Sequence, residues 1–195
     1  MEKSSKSDHM NKLTKKVEYL DSSKRRDQFS PESLFELLPI QKNDTILDIG
    51  AGTGFLTIPA AKVTNGIVYA LDIDPTILQI AESKADQEGL ENIQFLQGEL
   101  RDASLTNYSL DIVLASLVLH EIKPLPETLQ RINQVLKVNG YLACVELEEE
   151  ETRDKNHPRI NAAQMEKELN KAGFKVSKKV YPAASIYVLI AQKQQ

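Results

Sequence analysis

The stretch Thr45-Ile46-Leu47-Asp48-Ile49-Gly50-Ala51-Gly52-Thr53-Gly54 decides the fold class of this chain. It reads as a short apolar strand with an acid near its end, followed by three glycines at alternate positions. Glycine adopts backbone angles that other residues avoid, and it lets a ligand approach the main chain. A strand that leads through such a loop into a helix is typical of the ligand-binding edge of an open α/β sheet.

The acids near this loop indicate the kind of ligand. The spacing G-x-G-x-G differs from the dinucleotide pattern G-x-G-x-x-G, and Phe55 stands where the third dinucleotide glycine would be. Asp48 at the mouth of the loop would repel a pyrophosphate, which prefers a helix N-terminus without negative charge, and would attract a cation. A second acid, Asp72, ends the next apolar run. The pattern therefore disfavours NAD and favours a nucleoside that carries a free amine.

These two segments carry a family resemblance. Residues 45–54 resemble motif I of the class I S-adenosylmethionine-dependent methyltransferases, and residues 71–75 (Leu-Asp-Ile-Asp-Pro) resemble their second motif. Residues 117–122 and 135–140 are similar to the group that includes the ubiquinone and menaquinone biosynthesis methyltransferases. The resemblance covers about residues 30–192. It implies S-adenosyl-L-methionine as cofactor, S-adenosyl-L-homocysteine as product and in-line SN2 transfer of the methyl group.

Strand and helix patterns alternate along most of the chain. The predicted strands are 45–49, 67–72, 93–97, 110–116, 140–147, 174–181 and 185–192, and the predicted helices are 53–64, 75–87, 125–137 and 161–171. Alternation predicts a parallel sheet with helices on both faces, and the short link between the last two strands allows only an antiparallel pair. We therefore expect a three-layer, Rossmann-like methyltransferase fold, with a seven-stranded, mostly parallel sheet and one antiparallel strand near its C-terminal edge.

One domain is expected over residues 13–195. Residues 1–12 are polar and rich in lysine and serine, and the composition predicts a disordered tail. Residues 13–43 are expected to form an N-terminal helical lid, and residues 44–195 the core. The lid and substrate residues predicted for this chain are Tyr19, Arg25, Arg26, His157 and Arg159. The basic cluster at 24–26 either contacts an anionic acceptor or is a surface feature.

The resemblance assigns cofactor-binding roles residue by residue. The methionine half is expected to meet the main chain of Gly50, Ala51, Gly52 and Gly54, with its ammonium on Asp48, directly or through water. Asp72 is expected to accept both ribose hydroxyls, and Ile73 to pack on the adenine. The third element is assigned to Gly98, Glu99 and Leu100, and the boundary with the acceptor to Ser116 and Leu117. Many members of the family have Asp-Ala where this chain has Glu99-Leu100, so either Glu99 or Asp102 reads the adenine amino group.

His120 and Glu146 are the candidate catalytic residues. A histidine titrates near neutrality and takes a proton from an acceptor, and a glutamate at the end of the fifth strand is placed to face that acceptor. The alternative is that His120 packs beside the methionine moiety or caps a turn. The Asn/Asp-Pro-Pro-aromatic motif of amino-group methyltransferases is absent, which counts against methylation of adenine N6 or glutamine.

Composition bounds the remaining choices. The net charge of −4 over 195 residues argues against a basic nucleic-acid groove. The single cysteine, Cys144, excludes a cysteine-based zinc site, so no metal is expected, and it argues against arsenite as acceptor. There is no apolar run of membrane-spanning length and no secretory signal, which predicts a cytoplasmic protein. The first interpretation is a methyltransferase for a small-molecule acceptor. The alternatives are a non-catalytic cofactor-binding regulator or partner, and a protein or RNA methyltransferase.

Overall fold

A single seven-stranded sheet organises the chain, seen in a computed structural model that describes residues 14, 17–18, 20–22, 28–148 and 159–195. The helices are α1 Pro31–Phe35, α2 Thr57–Val63, α3 Pro75–Gln87, α4 Leu125–Val135 and α5 Ala162–Lys171. The strands are β1 Ile46–Ile49, β2 Val68–Asp72, β3 Ile93–Gln97, β4 Leu110–Ser116, β5 Leu136–Leu147, β6 Phe174–Ala183 and β7 Ile186–Lys193.

The strand order places two functional segments side by side. The order is β3-β2-β1-β4-β5-β7-β6, with β7 antiparallel to both of its neighbours and the other pairs parallel. The predicted fold and its one antiparallel strand are confirmed. The order reverses between β1 and β4, where Ile49 pairs with Ala115. Ligands bind outside the carboxyl ends of strands at such a switch point, so the glycine loop after β1 and the turn after β4 share one crevice.

Apolar side chains cover both faces of the sheet. Successive strand residues point to opposite faces, so Leu47 and Ile49 join one buried cluster while Ile46 joins the other. The first cluster also contains buried residues of α4 and α5, and the second contains residues of α1 and α2. The central strands are therefore buried on both sides, which holds their carboxyl ends in fixed relative positions. No helix in the described ranges is long and apolar enough to cross a membrane.

Local signals explain where α3 begins. Asp74 caps it, because its Oδ1 accepts from the amides of Thr76 at 3.0 Å and Ile77 at 3.4 Å, and Pro75 occupies the first helical turn. The predicted range 75–87 is the observed one. This cap sits two residues after Asp72, so the start of α3 helps to hold the end of β2 in place.

Several predicted boundaries were wrong, and β6 runs to Ala183 rather than to residue 181. The helix predicted at 53–64 begins only at Thr57, because Gly52 and Gly54 have positive φ and residues 52–56 form turns. The helix predicted to 137 ends at Val135, and β5 starts at once rather than at residue 140. Gly140 does not stop a helix; it lies within the strand, where an added Cβ would come within 3.0 Å of Asp111 O.

Candidate active site

The glycine loop folds back onto the end of β2. The amides of Gly50 and Ala51 donate to Leu71 O at 2.8 and 3.0 Å, and the Gly54 amide donates to Ala51 O at 3.0 Å. Gly50, Gly52 and Gly54 have φ of 68°, 56° and 89°, which are left-handed conformations that favour glycine. The loop therefore runs close beside Asp72, as the sequence indicated.

The glycines also make room for side chains of this chain. A Cβ on Gly50 would come within 2.6 Å of Val118 Cγ2, and a Cβ on Gly54 within 2.9 Å of Ile58 Cδ1. A Cβ on Gly52 would lie 3.5 Å from Leu20 Cδ1. The sequence suggested backbone angles and the approach of a ligand as the reasons for these glycines, and gave no sign that Val118 packs against the loop from the turn after β4.

Asp72 is held rigidly at the end of β2. Its Oδ2 accepts from the Gly52 amide at 2.9 Å, its Oδ1 accepts from the Asp74 amide at 3.0 Å, and the residue is 9% exposed. A carboxylate oxygen has two lone pairs, so each oxygen keeps acceptor capacity after these bonds. The pair of amides therefore orients a carboxylate that still suits two neighbouring hydroxyl donors.

Asp48 lies below the loop rather than in front of it. It is 2% exposed, and its Oδ2 accepts from the hydroxyl of Thr57, in the first turn of α2, at 2.6 Å. Nothing in the sequence had singled out Thr57. A cation at the loop would thus feel the charge of Asp48 from a buried position, which suits a contact through water better than a direct one.

The predicted adenine region is open to solvent. Ile73, which follows Asp72, is 68% exposed. The side chains of Glu99 and Asp102 are 51% and 72% exposed and lie 3.0 and 3.6 Å from Arg101 Nε. Leu100 is instead buried in the core. Both acids therefore remain candidates for the adenine amino group.

The third predicted element meets the second through the main chain. Gly98 has a φ of 132°, and its amide donates to Asp72 O at 3.0 Å. This bond joins the end of β3 to the end of β2. The residues predicted for ribose and adenine are thus brought to one edge of the sheet, as the sequence indicated.

The chain turns sharply after β4. Leu117 has a φ of 56° although it is not glycine, and its amide donates to Val145 O of β5 at 2.8 Å. Ser116, just before it, is 7% exposed. Among the residues that the structure describes, its Oγ is the buried side-chain oxygen or nitrogen without a hydrogen-bond partner. A buried hydroxyl without a partner is costly, and a ligand at this boundary would satisfy it.

Glu146 organises that turn. The residue is 1% exposed, and its Oε1 accepts from the amides of Val118, Leu119 and His120 at 3.2, 2.8 and 3.3 Å. Its Oε2 lies 2.6 Å from His120 Nδ1. The expectation that Glu146 faces the acceptor needs correction, because both carboxylate oxygens are turned toward the 117–120 segment. Its Oε2 contacts His120 instead.

This contact changes the chemistry of the histidine. The hydrogen bond that His120 donates to Glu146 raises the pKa of His120 above its ordinary value of 6.5, although burial opposes the shift, and the charges of Glu146 and Glu121 add to it. The side chain of His120 is 13% exposed, and its Nε2 lies 3.7 Å from Glu121 Oε1. Sequence reasoning named His120 and Glu146 separately and had no signal that they form a pair.

The N-terminal segment touches the glycine loop. Asp21 accepts from Thr53 Oγ1 at 2.6 Å and from Lys84 Nζ at 2.7 and 2.8 Å, while Leu20 lies above Gly52. Lys84 Nζ also donates to Thr53 O at 3.3 Å. Residues 20–22 are therefore attached to both the loop and α3. No part of the sequence analysis had identified Asp21, Thr53 or Lys84.

Of the other residues predicted for the lid and the substrate, the structure describes Arg159 alone. Tyr19, Arg25, Arg26 and His157 lie outside the described residues, as does the predicted tail at 1–12. Arg159 is described, and its Nη1 donates to Glu148 O at 2.7 Å, just beyond the end of β5.

Cys144 lies two residues before Glu146 on the same strand. It is buried, and burial together with the Glu146 charge raises the pKa of its thiol. In the described part of the chain, no group of histidine, cysteine, aspartate or glutamate side chains is arranged to hold a metal ion.

Comparison with known proteins gives consistent matches. The profile of a family described as "Methyltransferase domain" matches residues 40–191. A demethylmenaquinone methyltransferase of Lactobacillus johnsonii is 32% identical over 118 residues, 59% of this chain and 48% of that protein. A ribosomal protein L11 methyltransferase of Desulforamulus reducens is 30% identical over 120 residues, 60% of this chain and 37% of that protein.

Solved structures agree with the sequence matches. A SAM-dependent methyltransferase from Aquifex aeolicus superposes with a TM-score of 0.82 at 27% identity, over 91% of this chain and 97% of that one. The aligned segments span less than half the length of the two curated relatives.

Proposed function

The chain belongs to the methyltransferase domain family, and from that premise we propose that it transfers a methyl group from S-adenosylmethionine to a small-molecule acceptor. Dependence on S-adenosylmethionine follows from the family and from the Aquifex aeolicus neighbour. The observation that carries the site assignment is the Asp72 carboxylate, fixed by the Gly52 and Asp74 amides at the switch point of the sheet.

The described residues fit this cofactor. Asp72 keeps acceptor capacity for two ribose hydroxyls, and the exposed Ile73 offers an apolar surface to a base. The glycine loop presents main chain at positions where a side chain would clash. The unpartnered Ser116 hydroxyl at the end of β4 offers a further polar contact. The methionine end would lie against Gly50 to Gly54, near the buried charge of Asp48.

The demands on catalysis are modest. When bound, the sulfonium supplies a methyl group that is already electrophilic. The protein's task is to hold an acceptor lone pair in line with the carbon–sulfur bond, to exclude water and to provide for the acceptor's proton. The turn 117–120 borders this space, because Val118 packs against Gly50 of the glycine loop.

Two observations support a small-molecule acceptor. The relative from Lactobacillus johnsonii is named for demethylmenaquinone, and the net charge of −4 gives no electrostatic basis for binding nucleic acid broadly. The second candidate is a protein acceptor, which the similarity to ribosomal protein L11 methyltransferase favours. Incubation with labelled cofactor and either a metabolite extract or a protein extract separates the two, because the label moves into different fractions.

For the predicted lid at 13–43, we propose that the part with Leu20 and Asp21 acts as a lid, whereas α1 packs in the core. The support is the bond of Asp21 to Thr53 and Lys84, together with Leu20 above Gly52. These contacts attach the N-terminal segment to the loop that is assigned to the cofactor. A lid that closes over the cofactor would exclude water from the transfer.

Calorimetric titration tests the cofactor site. Wild-type protein is titrated with S-adenosylmethionine, S-adenosylhomocysteine and NAD, beside Asp72→Ala and the control Asp86→Asn, which removes an exposed acid of α3. Asp72→Ala removes the two hydrogen bonds expected from the ribose hydroxyls to a charged carboxylate. We therefore expect S-adenosylmethionine to bind at least about 100-fold more weakly to Asp72→Ala and equally well to the control. Unimpaired binding by Asp72→Ala, or binding of NAD alone, would refute the assignment.

A further inference from the structure

The pair formed by His120 and Glu146 extends the proposed function to the chemistry of the acceptor. We propose that His120 is the general base for an acceptor with a weakly acidic hydroxyl, a phenol or an enol, and that Glu146 is the residue that positions it. The inference rests on the proposed methyl transfer and names the class of acceptor for that same site.

Glu146 holds the histidine through Nδ1, while Nε2 lies 3.7 Å from Oε1 of the exposed Glu121. Oε1 of Glu146 accepts three amides of the segment 118–120, so the carboxylate is locked in place before it meets the ring. Its Oε2 then meets His120 Nδ1 at 2.6 Å. A carboxylate is an acceptor, so Nδ1 carries the hydrogen and the lone pair of the neutral ring lies on Nε2.

The pair of His120 and Glu146 lies beside the crevice at the switch point of the sheet. Glu146 is near the end of β5, and His120 follows β4, which is the neighbour of β5 and lies at the switch point. The same turn places Val118 against Gly50 and begins at Ser116, whose buried hydroxyl has no partner. An acceptor beside the glycine loop would therefore meet the turn that carries His120.

The basicity of the ring selects the acceptor. Among the described residues, Glu146 and Glu121 are the charged groups that act on His120, and both raise its pKa above 6.5, so the neutral ring is a stronger base than free imidazole. Proton transfer is efficient when donor and acceptor differ by few pKa units. A phenol with a pKa of about 10 satisfies this, whereas carboxylic acids with pKa values of about 4 are already ionised at neutral pH.

The methyl transfer needs no reactant besides the acceptor, S-adenosylmethionine and His120. The acceptor oxygen gives its proton to His120 Nε2 and forms a bond to the methyl carbon. The bond between that carbon and sulfur breaks, and its electron pair stays on sulfur. The products are a methyl ether, S-adenosylhomocysteine and a protonated His120, which then releases its proton to water.

The test compares three variants. His120→Gln removes the base. Glu146→Gln presents an amide N–H or a weaker acceptor to Nδ1, which removes the fixed tautomer. Glu127→Gln is the control, because it neutralises an exposed acid in the first turn of α4 that is not one of the charges acting on His120. Each protein is first titrated with S-adenosylmethionine by calorimetry.

Turnover and NMR give separate readouts. Formation of S-adenosylhomocysteine is measured with catechol and 4-nitrophenol, and with benzylamine and thiophenol as probes of other nucleophile classes. We expect phenol-dependent kcat to fall at least about 100-fold in His120→Gln and Glu146→Gln, with the affinity for S-adenosylmethionine unchanged and Glu127→Gln near wild type. NMR titration of the His120 ring should show its pKa falling in Glu146→Gln, and the midpoint of the wild-type rate profile should follow that of the ring.

Failure of the inference differs from failure of the proposed function. No binding of S-adenosylmethionine by wild type would refute the function itself. Binding without turnover of either phenol, turnover of only the amine or thiol, or full phenol activity in His120→Gln would each overturn the inference. If Glu146→Gln does not fold, His120→Gln and the NMR titration of wild type decide the question.

Discussion

The close approach of Val118 to Gly50 leads to a quantitative prediction about stability. Gly50→Ala places a Cβ 2.6 Å from Val118 Cγ2 and 3.0 Å from Val118 Cβ, at a φ of +68°. The left-handed conformation costs a non-glycine residue about 1–2 kcal/mol. Forcing extra volume against packed side chains costs a further 1–3 kcal/mol or so. We therefore expect the free energy of unfolding to fall by about 2–5 kcal/mol.

Gly89→Ala is the matched control for this change. Gly89 has a φ of +65°, almost that of Gly50, and an added Cβ there would meet nothing within 4 Å. It should cost only the conformational part, about 1–2 kcal/mol. The difference between the two variants therefore isolates the clash with Val118, about 1–3 kcal/mol.

Urea unfolding followed by circular dichroism measures both variants, alongside Val118→Ala and the double variant Gly50→Ala/Val118→Ala. Without the Val118 methyl groups, the double variant should recover most of the stability that the clash costs, so the effects of the two changes are not additive. The explanation would be refuted if Gly50→Ala were no less stable than Gly89→Ala, or if the double variant showed no coupling. In that case the loop and the turn after β4 would not be in contact.

The remaining predictions concern the lid and pH. Lys84→Met removes the ion pair with Asp21, and we expect faster release of S-adenosylmethionine in stopped flow, by up to about fivefold, since such a pair contributes up to about 1 kcal/mol. Lys62→Met, whose partner Glu88 lies outside the N-terminal segment, should leave the rate unchanged, and equal rates in all proteins would contradict the lid. His120 has a raised pKa in the folded protein, so its stabilising contribution is complete below about pH 6.5 and is lost as the pH rises through the folded value. Wild type should thus lose stability relative to His120→Gln over that window in urea unfolding at several pH values; a constant difference would contradict the shift.

Local signals account for the elements that the sequence predicted well. The bounds of α3, β3 and β4 were predicted as they are observed. Asp74-Pro75 supplies both the cap and the first turn of α3, so its start depends on adjacent residues only. The start of β5 could not be predicted in this way. It depends on pairing with β4, where Leu136 lies opposite Leu110 and the register then shifts.

The candidate site also combines contacts that the sequence predicted with contacts that it could not predict. Asp72 and the glycine loop follow consecutive strands, and the carboxyl ends of neighbouring parallel strands meet at one edge, so their proximity followed from the alternation alone. The bond of His120 to Glu146 joins residues 26 positions apart in the chain. No periodicity or spacing connects them, because the contact exists only through the pairing of β4 with β5.

The sequence by itself determined the α/β class, the antiparallel strand near the edge, and the acids and glycines that mark a nucleoside site, because these depend on period, caps and connection lengths. Only the tertiary structure decided what each side chain faces. It joined Glu146 to His120, brought Val118 against Gly50, and attached Asp21 to Lys84. Side-chain contacts across strands depend on packing between distant segments, which no local pattern specifies.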